Sequence, residues 1–344
     1  MRIWHGNGVY LHMQTFRFLI ALCASAVTGW AQPSAGVAGP VTGFIFDAQS
    51  GAVRPMLGIP GAAYLGPVVA PGLSAASVAP DGSAALGVQR TGKLMLYSGL
   101  RSAAPVALAV SGALAGADYF AWSGDSSAAA VYASGTGQGQ ILTGLVASPV
   151  VSAPIDLSSL PGQVTALAFD GQHLIVGVAS SGPGGIYLAG ASAGIERIAQ
   201  AASPSAIALA GSSIFFADNQ SQQIFQVENY AAAPAALMFS NDSGISSPAG
   251  LQVSADGQRL YAANAGNRTL AVYDIASRAP VQSLDLNFTP TRVDRFGDGS
   301  VFLLNTGGRG PVYVVRDGAP GKAAVFFVPM PGKLRPVRTP IRHS

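Results

Sequence analysis

Tight-turn dipeptides recur along this chain at a spacing that few folds permit. Asp81-Gly82, Gly124-Asp125, Asp170-Gly171, Gly211-Ser212, Asp256-Gly257 and Asp298-Gly299 step through the sequence at intervals of 44, 45, 41, 45 and 42 residues. Each sits between two short apolar runs, so each reads as a hairpin turn joining a pair of strands. A second series keeps the same beat, with apolar runs at 94–97, 140–143, 185–188, 223–227, 270–274 and 312–316. Two independent markers in one register define a repeat, and the repeat occupies most of the molecule.

The clearest copy spans residues 248–290. It breaks into four short strands at 251–254, 260–263, 270–274 and 281–286, each separated from the next by turn residues. One four-stranded antiparallel sheet in about 42 residues is the size of a propeller blade. The expected fold is therefore all-β, a β-propeller of four-stranded blades. In this copy Tyr261-Ala262-Ala263-Asn264 follows an Asp-Gly turn and precedes a Val-Tyr-Asp strand. That pattern resembles the YVTN- and NHL-like repeats of bacterial β-propeller proteins, a likeness covering residues 41–331. The resemblance implies a fold and leaves the activity open, since rings of this kind serve many purposes.

Six complete units follow from the turn positions, and one partial unit precedes them. Residues 41–58 form an apolar hairpin whose FIFDAQSG resembles the VYDIAS of the clearest copy, so it is assigned as a third-plus-fourth-strand pair. A hairpin carrying Phe44-Ile45-Phe46 needs a sheet to pack on. The expectation is a ring of seven blades with the first reduced, helped by residues 63–70. A six-bladed ring carrying an extra hairpin is the alternative.

The ends of the chain differ from its middle. Arg17 precedes the apolar run 18–27, and Gly29-Trp30-Ala31 offers a cleavage site before Gln32, the layout of an export signal that is too short to span a bilayer. Met13 is the expected start of that signal. The domain reading is a signal peptide at 1–31, a linker at 32–40, the propeller at 41–331 and a basic disordered tail at 332–344. Cys23, the only cysteine, lies within the signal. Cleavage would remove any chance of a disulfide or a cysteine nucleophile. It would also leave 17 basic against 16 acidic residues, four of the basic ones in the tail. The ring itself is then mildly acidic, which excludes a nucleic-acid-binding face. No membrane span remains in the mature chain. Charged residues make up 10% of the chain, against roughly 25% in ordinary soluble proteins, and 49% hydrophobic content argues against disorder.

Few residues are equipped for chemistry. Gly190-Ala191-Ser192-Ala193-Gly194 fits a nucleophile elbow by spelling, yet it falls in a hairpin turn and the only later histidine is His343. Gly135-Thr136-Gly137-Gln138-Gly139 lacks the following helix and lysine of a phosphate cradle. The mature chain would keep only His173 and His343, and the only glutamates are Glu196 and Glu228. No catalytic residue, metal site or cofactor is assigned on that supply. His173 is read as a surface or packing histidine.

One arrangement does stand out. In a propeller the second-to-third loops and the interblade connections share one end of the ring. Arg90, Arg268 and Arg309 occupy second-to-third loops, and Arg292 lies at an interblade entry on the same end. Asp81, Asp125, Asp170, Asp256 and Asp298 belong to the opposite end. Arginine's planar fork suits carboxylates, phosphates and acidic glycans, so these four arginines are the candidate ligand-binding residues. The expected function is a monomeric, exported, non-enzymatic scaffold in the periplasm or outside the cell. It would bind an envelope or extracellular protein, or an acidic glycan, through loops at one end. The alternatives are a secreted hydrolase, lactonase or lyase using the channel mouth, and a structural component of the envelope or surface layer.

Overall fold

The structure, a computed structural model, describes residues 39–190, 194–297, 301–305, 310–318 and 322–330. The expected signal at 1–31, most of the linker and the tail at 332–344 lie outside these residues. So do Asp298-Gly299, Arg309, His343 and the centre of the Gly190 to Gly194 motif. Among the described residues all regular elements are strands, 28 in number, gathered into seven antiparallel sheets. The sheets stand as the blades of a seven-bladed propeller. Blade one covers 41–65, blade two 73–109, blade three 119–156, blade four 163–200, blade five 204–240, blade six 248–285 and blade seven 294–328. Among the described residues no helix is long and apolar enough to cross a membrane.

The reason for the ring is visible in the second strands. Ala129–Ala133, Leu174–Ala179 and Arg259–Asn264 are buried almost throughout, with no polar alternation. Successive side chains of a strand point to opposite faces, and here both faces are covered. Leu260 and Ala262 pack towards Phe215 of blade five, while Tyr261 and Ala263 pack towards Phe302 and Val315 of blade seven. The same division repeats around the molecule. Seven apolar clusters fill the seven spaces between neighbouring blades, including one between blades one and seven. A lone blade would expose both faces to water, and closing the circle removes them from it.

The first turns fall where the recurring dipeptides place them, between first and second strands in blades two to six. Blade one requires a correction. Its strands Val41–Asp47, Ala52–Ile59 and Ala62–Leu65 are not a third-plus-fourth pair with a helper. Val41–Asp47 takes the innermost place, and it runs against the other inner strands. Those six are parallel: Thr165 near the start of one bonds the carbonyl of Pro204 at the start of the next, and Ser205 reaches Pro248 O at 2.6 Å in the same way. In blade one it is the start of the strand that meets the end of blade seven's inner strand. A side chain on Gly43 would lie 2.7 Å from the Phe296 ring, and one on Gly297 would strike the carbonyl of Thr42. Its far end, at Gly51, accepts a 2.9 Å hydrogen bond from the N–H of Leu73, where blade two begins.

By direction and connection, then, the three strands are a second, third and fourth strand shifted one place inward. The loop confirms this. Asp47 accepts the N–H groups of Gln49 and Ser50 at 3.0 and 3.3 Å, as Asp218 accepts those of Gln220 and Ser203 at 3.1 and 2.8 Å. Both carboxylates are buried, and both end a second strand with the spelling Asp-x-Gln-Ser. Elsewhere the outer strand of blade three is split into Val150–Val151 and Ile155–Asp156.

Polar links supplement the apolar packing at six of the seven interfaces. Arg101 donates to Val41 O at 3.2 Å, Trp122 Nε1 to Ser77 at 3.2 Å, Tyr119 to Val164 O at 3.4 Å and Tyr230 to Asp170 at 2.8 Å. Ser205 links blades five and six, and Arg259 with Tyr261 holds Asp317 across blades six and seven. Between blades seven and one, no hydrogen bond crosses among the described residues.

Candidate binding channel

The inner strands of all seven blades surround a channel of about 450 Å³. Its size falls in the range of small-molecule sites. The accessible lining is more polar than apolar, with the aromatic residues Phe44, Phe46, Phe120, Trp122 and Phe169 among its members. Phe46, Phe120 and Trp122 are partly exposed there, whereas Phe44 and Phe169 are buried in the spaces between blades. Four ionisable side chains reach the wall: Asp170, Arg292, Asp294 and Arg295, joined by the Tyr230 hydroxyl.

Asp170 departs from its expected role as a solvated turn residue. Its Oδ1 accepts the N–H groups of Gln172 and His173 at 2.7 and 2.6 Å. Its Oδ2 meets Nδ1 of His173 at 2.9 Å and the hydroxyl of Tyr230, from blade five, at 2.8 Å. Burial alone would raise the Asp170 carboxyl. The bonds from His173, Gln172 and Tyr230 outweigh it and hold the group below the ordinary carboxylate range. Tyr230 moves the other way, pushed up by burial and by its bond to the Asp170 carboxylate. His173 is thus neither free nor merely packed. It orients a carboxylate that joins two blades at the channel wall.

A lowered folded-state value fixes the sign of the pH effect. Asp170 stabilises the fold fully above its unfolded value near 4, and the contribution is lost as pH falls through the folded value. Melting temperature should therefore fall as the solution is acidified below about pH 4. Asp170→Asn should flatten part of that fall, as thermal melts at stepped pH would show. An identical acid profile in the variant would assign the effect to other carboxylates.

The remaining first-turn aspartates act locally. Asp125 accepts from Ser123 at 2.6 Å and from Ser127, and Asp256 accepts from Ser254 and from the N–H of Gln258 at 3.1 Å. In each case the serine bond leads in holding the carboxyl below its usual range. Asp81 is exposed at the same end.

The candidate arginines share an end of the ring without converging. Arg90 and Arg268 are exposed in second-to-third loops of blades two and six, three blade steps apart on a ring of seven. They face one another across the ring end. Arg292 is half-buried at the channel and ion-paired with Asp294, so its charge is answered locally. Arg309 lies outside the described residues. Arg295, on the inner strand Asp294–Phe296, was no candidate in the sequence, where Val-Asp-Arg-Phe reads as an ordinary strand. The available signal was positional, since the matching residue of blade six is Val253. Among the described residues no group of three or more His, Cys, Asp or Glu side chains gathers at metal-binding range.

No protein-family model matches the chain, and no curated protein matches it. Solved structures do. A putative 6-phosphogluconolactonase from Bacteroides uniformis superposes with a TM-score of 0.58 at 16% identity, over 85% of this chain and 96% of its own. A Lactobacillus plantarum protein gives 0.57 at 13%, over 84% and 96%. A putative 6-phosphogluconolactonase from Bacteroides fragilis gives 0.56 at 12%, over 83% and 92%. At these identities the likeness extends to the fold alone, and the fold it shows is the β-propeller.

Proposed function

We propose that this chain is an exported, non-enzymatic propeller of YVTN-type repeats that binds an acidic protein segment or glycan of the cell envelope or extracellular space. The partner lies across the end of the ring that carries the second-to-third loops. The observation behind this reading is the placement of Arg90 and Arg268. Both are exposed on one end, and neither has a carboxylate within ion-pair range among the described residues. Because they stand on opposite sides of the ring, only a ligand that spans the face can meet both. An extended polyanion fits that requirement, and a small molecule does not.

The test uses exported protein whose intact mass begins at Gln32, with heparin and poly-glutamate as probes. The triple variant R90Q/R268Q/R309Q should lose about 1–3 kcal/mol of binding in low salt, the scale of charge-assisted hydrogen bonds. Its melting temperature should barely move, because exposed charges contribute little to folding. Binding by the parent should fade above roughly 0.15 M salt, where the screening length is about 8 Å. D81N/D256N at the far end is the control. Equal binding by the triple variant and the parent would remove the ring end as the site.

A second reading, a hydrolase, is favoured by one observation: Asp170 at the channel wall holds His173, a pairing that resembles the orienting carboxylate and base of hydrolytic sites. Two structural neighbours are also named as putative lactonases. Lactone hydrolysis above the uncatalysed rate, lost in H173Q, would replace the binding reading.

A further inference from the structure

Arg295 stands where every other parallel inner strand carries an apolar residue. Its partner in the ladder is Phe302, the second residue of blade seven's second strand. The corresponding inner residues opposite Ala85, Ala130, Ile175, Ile214 and Leu260 are Val78, Ala121, Ala168, Leu209 and Val253. An arginine in that series is not explained by the repeat.

Among the described residues nothing answers its charge. Arg295 lines the channel, and its Nε is enclosed without a hydrogen-bond acceptor. Among the described residues no carboxylate lies within ion-pair range of it. Asp294, next in the chain, is paired with Arg292. Desolvation lowers the guanidinium's hold on its proton, though far from enough to neutralise it. A guanidinium partly withdrawn from water, with no counter-charge among the described residues, costs free energy. An anion from solution would offset that cost.

We propose that the channel is a binding site for a small organic acid with an apolar body, whose carboxylate sits on the guanidinium of Arg295. Carboxylate geometry matches the two-pronged face of arginine. With Arg292 paired to Asp294, Arg295 is the one wall arginine without a carboxylate partner among the described residues, which calls for a monoanion. The partly exposed aromatic side chains Phe46, Phe120 and Trp122 in the lining favour an aryl or alkyl remainder over a heavily hydrated dianion such as phosphate. The site is separate from the loops at the ring end and stands or falls without them.

Titration calorimetry and thermal shift with benzoate and phenylacetate test the assignment, with benzamide and inorganic phosphate as the uncharged and the hydrated comparison. The parent should bind the carboxylates in the millimolar range or tighter, and should show neither shift with benzamide nor comparable affinity for phosphate. Arg295→Leu, which copies Leu209 of blade five, should lose tenfold or more of benzoate affinity. Without ligand it should melt at the same temperature as the parent or higher, since an uncompensated charge has been removed. The ring-end variant R90Q/R268Q/R309Q should bind benzoate as the parent does. The proposal is overturned by an absence of carboxylate binding up to roughly 10 mM, a free energy weaker than about 3 kcal/mol. Equal benzoate binding in Arg295→Leu overturns it too. So does an Arg295→Leu protein that is destabilised or unfolded, because the guanidinium would then serve the native fold. Loss of benzoate binding in the ring-end variant alone would move the anion site to the loops.

Discussion

Deleting residues 41–65 is expected to abolish cooperative folding of the ring. That segment supplies one side of two of the seven apolar clusters: Ile45, Met56 and Leu65 against blade seven, and Phe44 and Val53 against blade two. Each large side chain buried in this way contributes about 1.5–3 kcal/mol, so five of them approach the whole stability of an ordinary domain, roughly 5–15 kcal/mol. The deletion would also expose the faces of blades two and seven, which carry Leu73, Tyr97, Val301 and Val314 in those clusters. Circular dichroism should show a broad melt without a sharp transition, and gel filtration should show association. A sharp melt within about 2 °C of the parent would instead describe six blades that close without the first, since a shift that small is under about 1 kcal/mol.

Asp317→Ala is expected to be the most damaging single substitution between blades. The carboxylate takes Nη1 of Arg259 at 2.7 Å and Nη2 at 3.1 Å, and also the hydroxyl of Tyr261. Arg259 Nη1 bonds the carbonyl of Gly318 as well, at 2.7 Å. The Arg259 and Asp317 side chains are only 14% and 12% exposed, so truncating one strands the other in a poorly solvated place. Breaking a buried pair in this way costs about 3–5 kcal/mol. For a ring of this size that corresponds to a fall of roughly 6–20 °C in melting temperature. Tyr261→Phe, which removes one hydroxyl from the same carboxylate, should cost only about 1 kcal/mol. Removing both charges in R259M/D317L should be milder than D317A alone. A D317A melt within about 1 °C of the parent would mean that water already screens the pair.

Much of this fold can be read from the chain because the turn between first and second strands has a strict local chemistry. Asp256 shows why: its carboxylate bonds the N–H of Gln258 two residues on and the hydroxyl of Ser254 two residues back, and Asp-Gly marks this turn at residues 81, 170 and 256, although the same pair at 317–318 follows a third strand. The identity of a strand within its blade is less legible. Second and third strands are both apolar on both faces, so Phe44-Ile45-Phe46 could match either. The deciding signal was the loop, where Asp47-Ala48-Gln49-Ser50 repeats Asp218-Asn219-Gln220-Ser221. The channel residues were hidden for a different reason. Asp170 has the same local sequence as the solvated turn aspartates, and what buries it is Tyr230, 60 residues away in the chain. Arg90 and Arg268 share one loop class, but loop class fixes the end of the ring and not the distance across it. Arg295 is ordinary in sequence and anomalous only beside the equivalent residues of other blades.

The interface between blades seven and one is held by apolar contact alone among the described residues, with Phe296 against Gly43 and Phe326 against Gly61. The other six combine apolar contact with hydrogen bonds or ion pairs. These two kinds of attachment respond differently to temperature, since apolar association weakens on cooling while hydrogen bonds do not share that loss. On cooling, this junction has no polar link among the described residues to make up for weakened apolar contact, so a cold-induced opening of the ring is expected first beside Arg295.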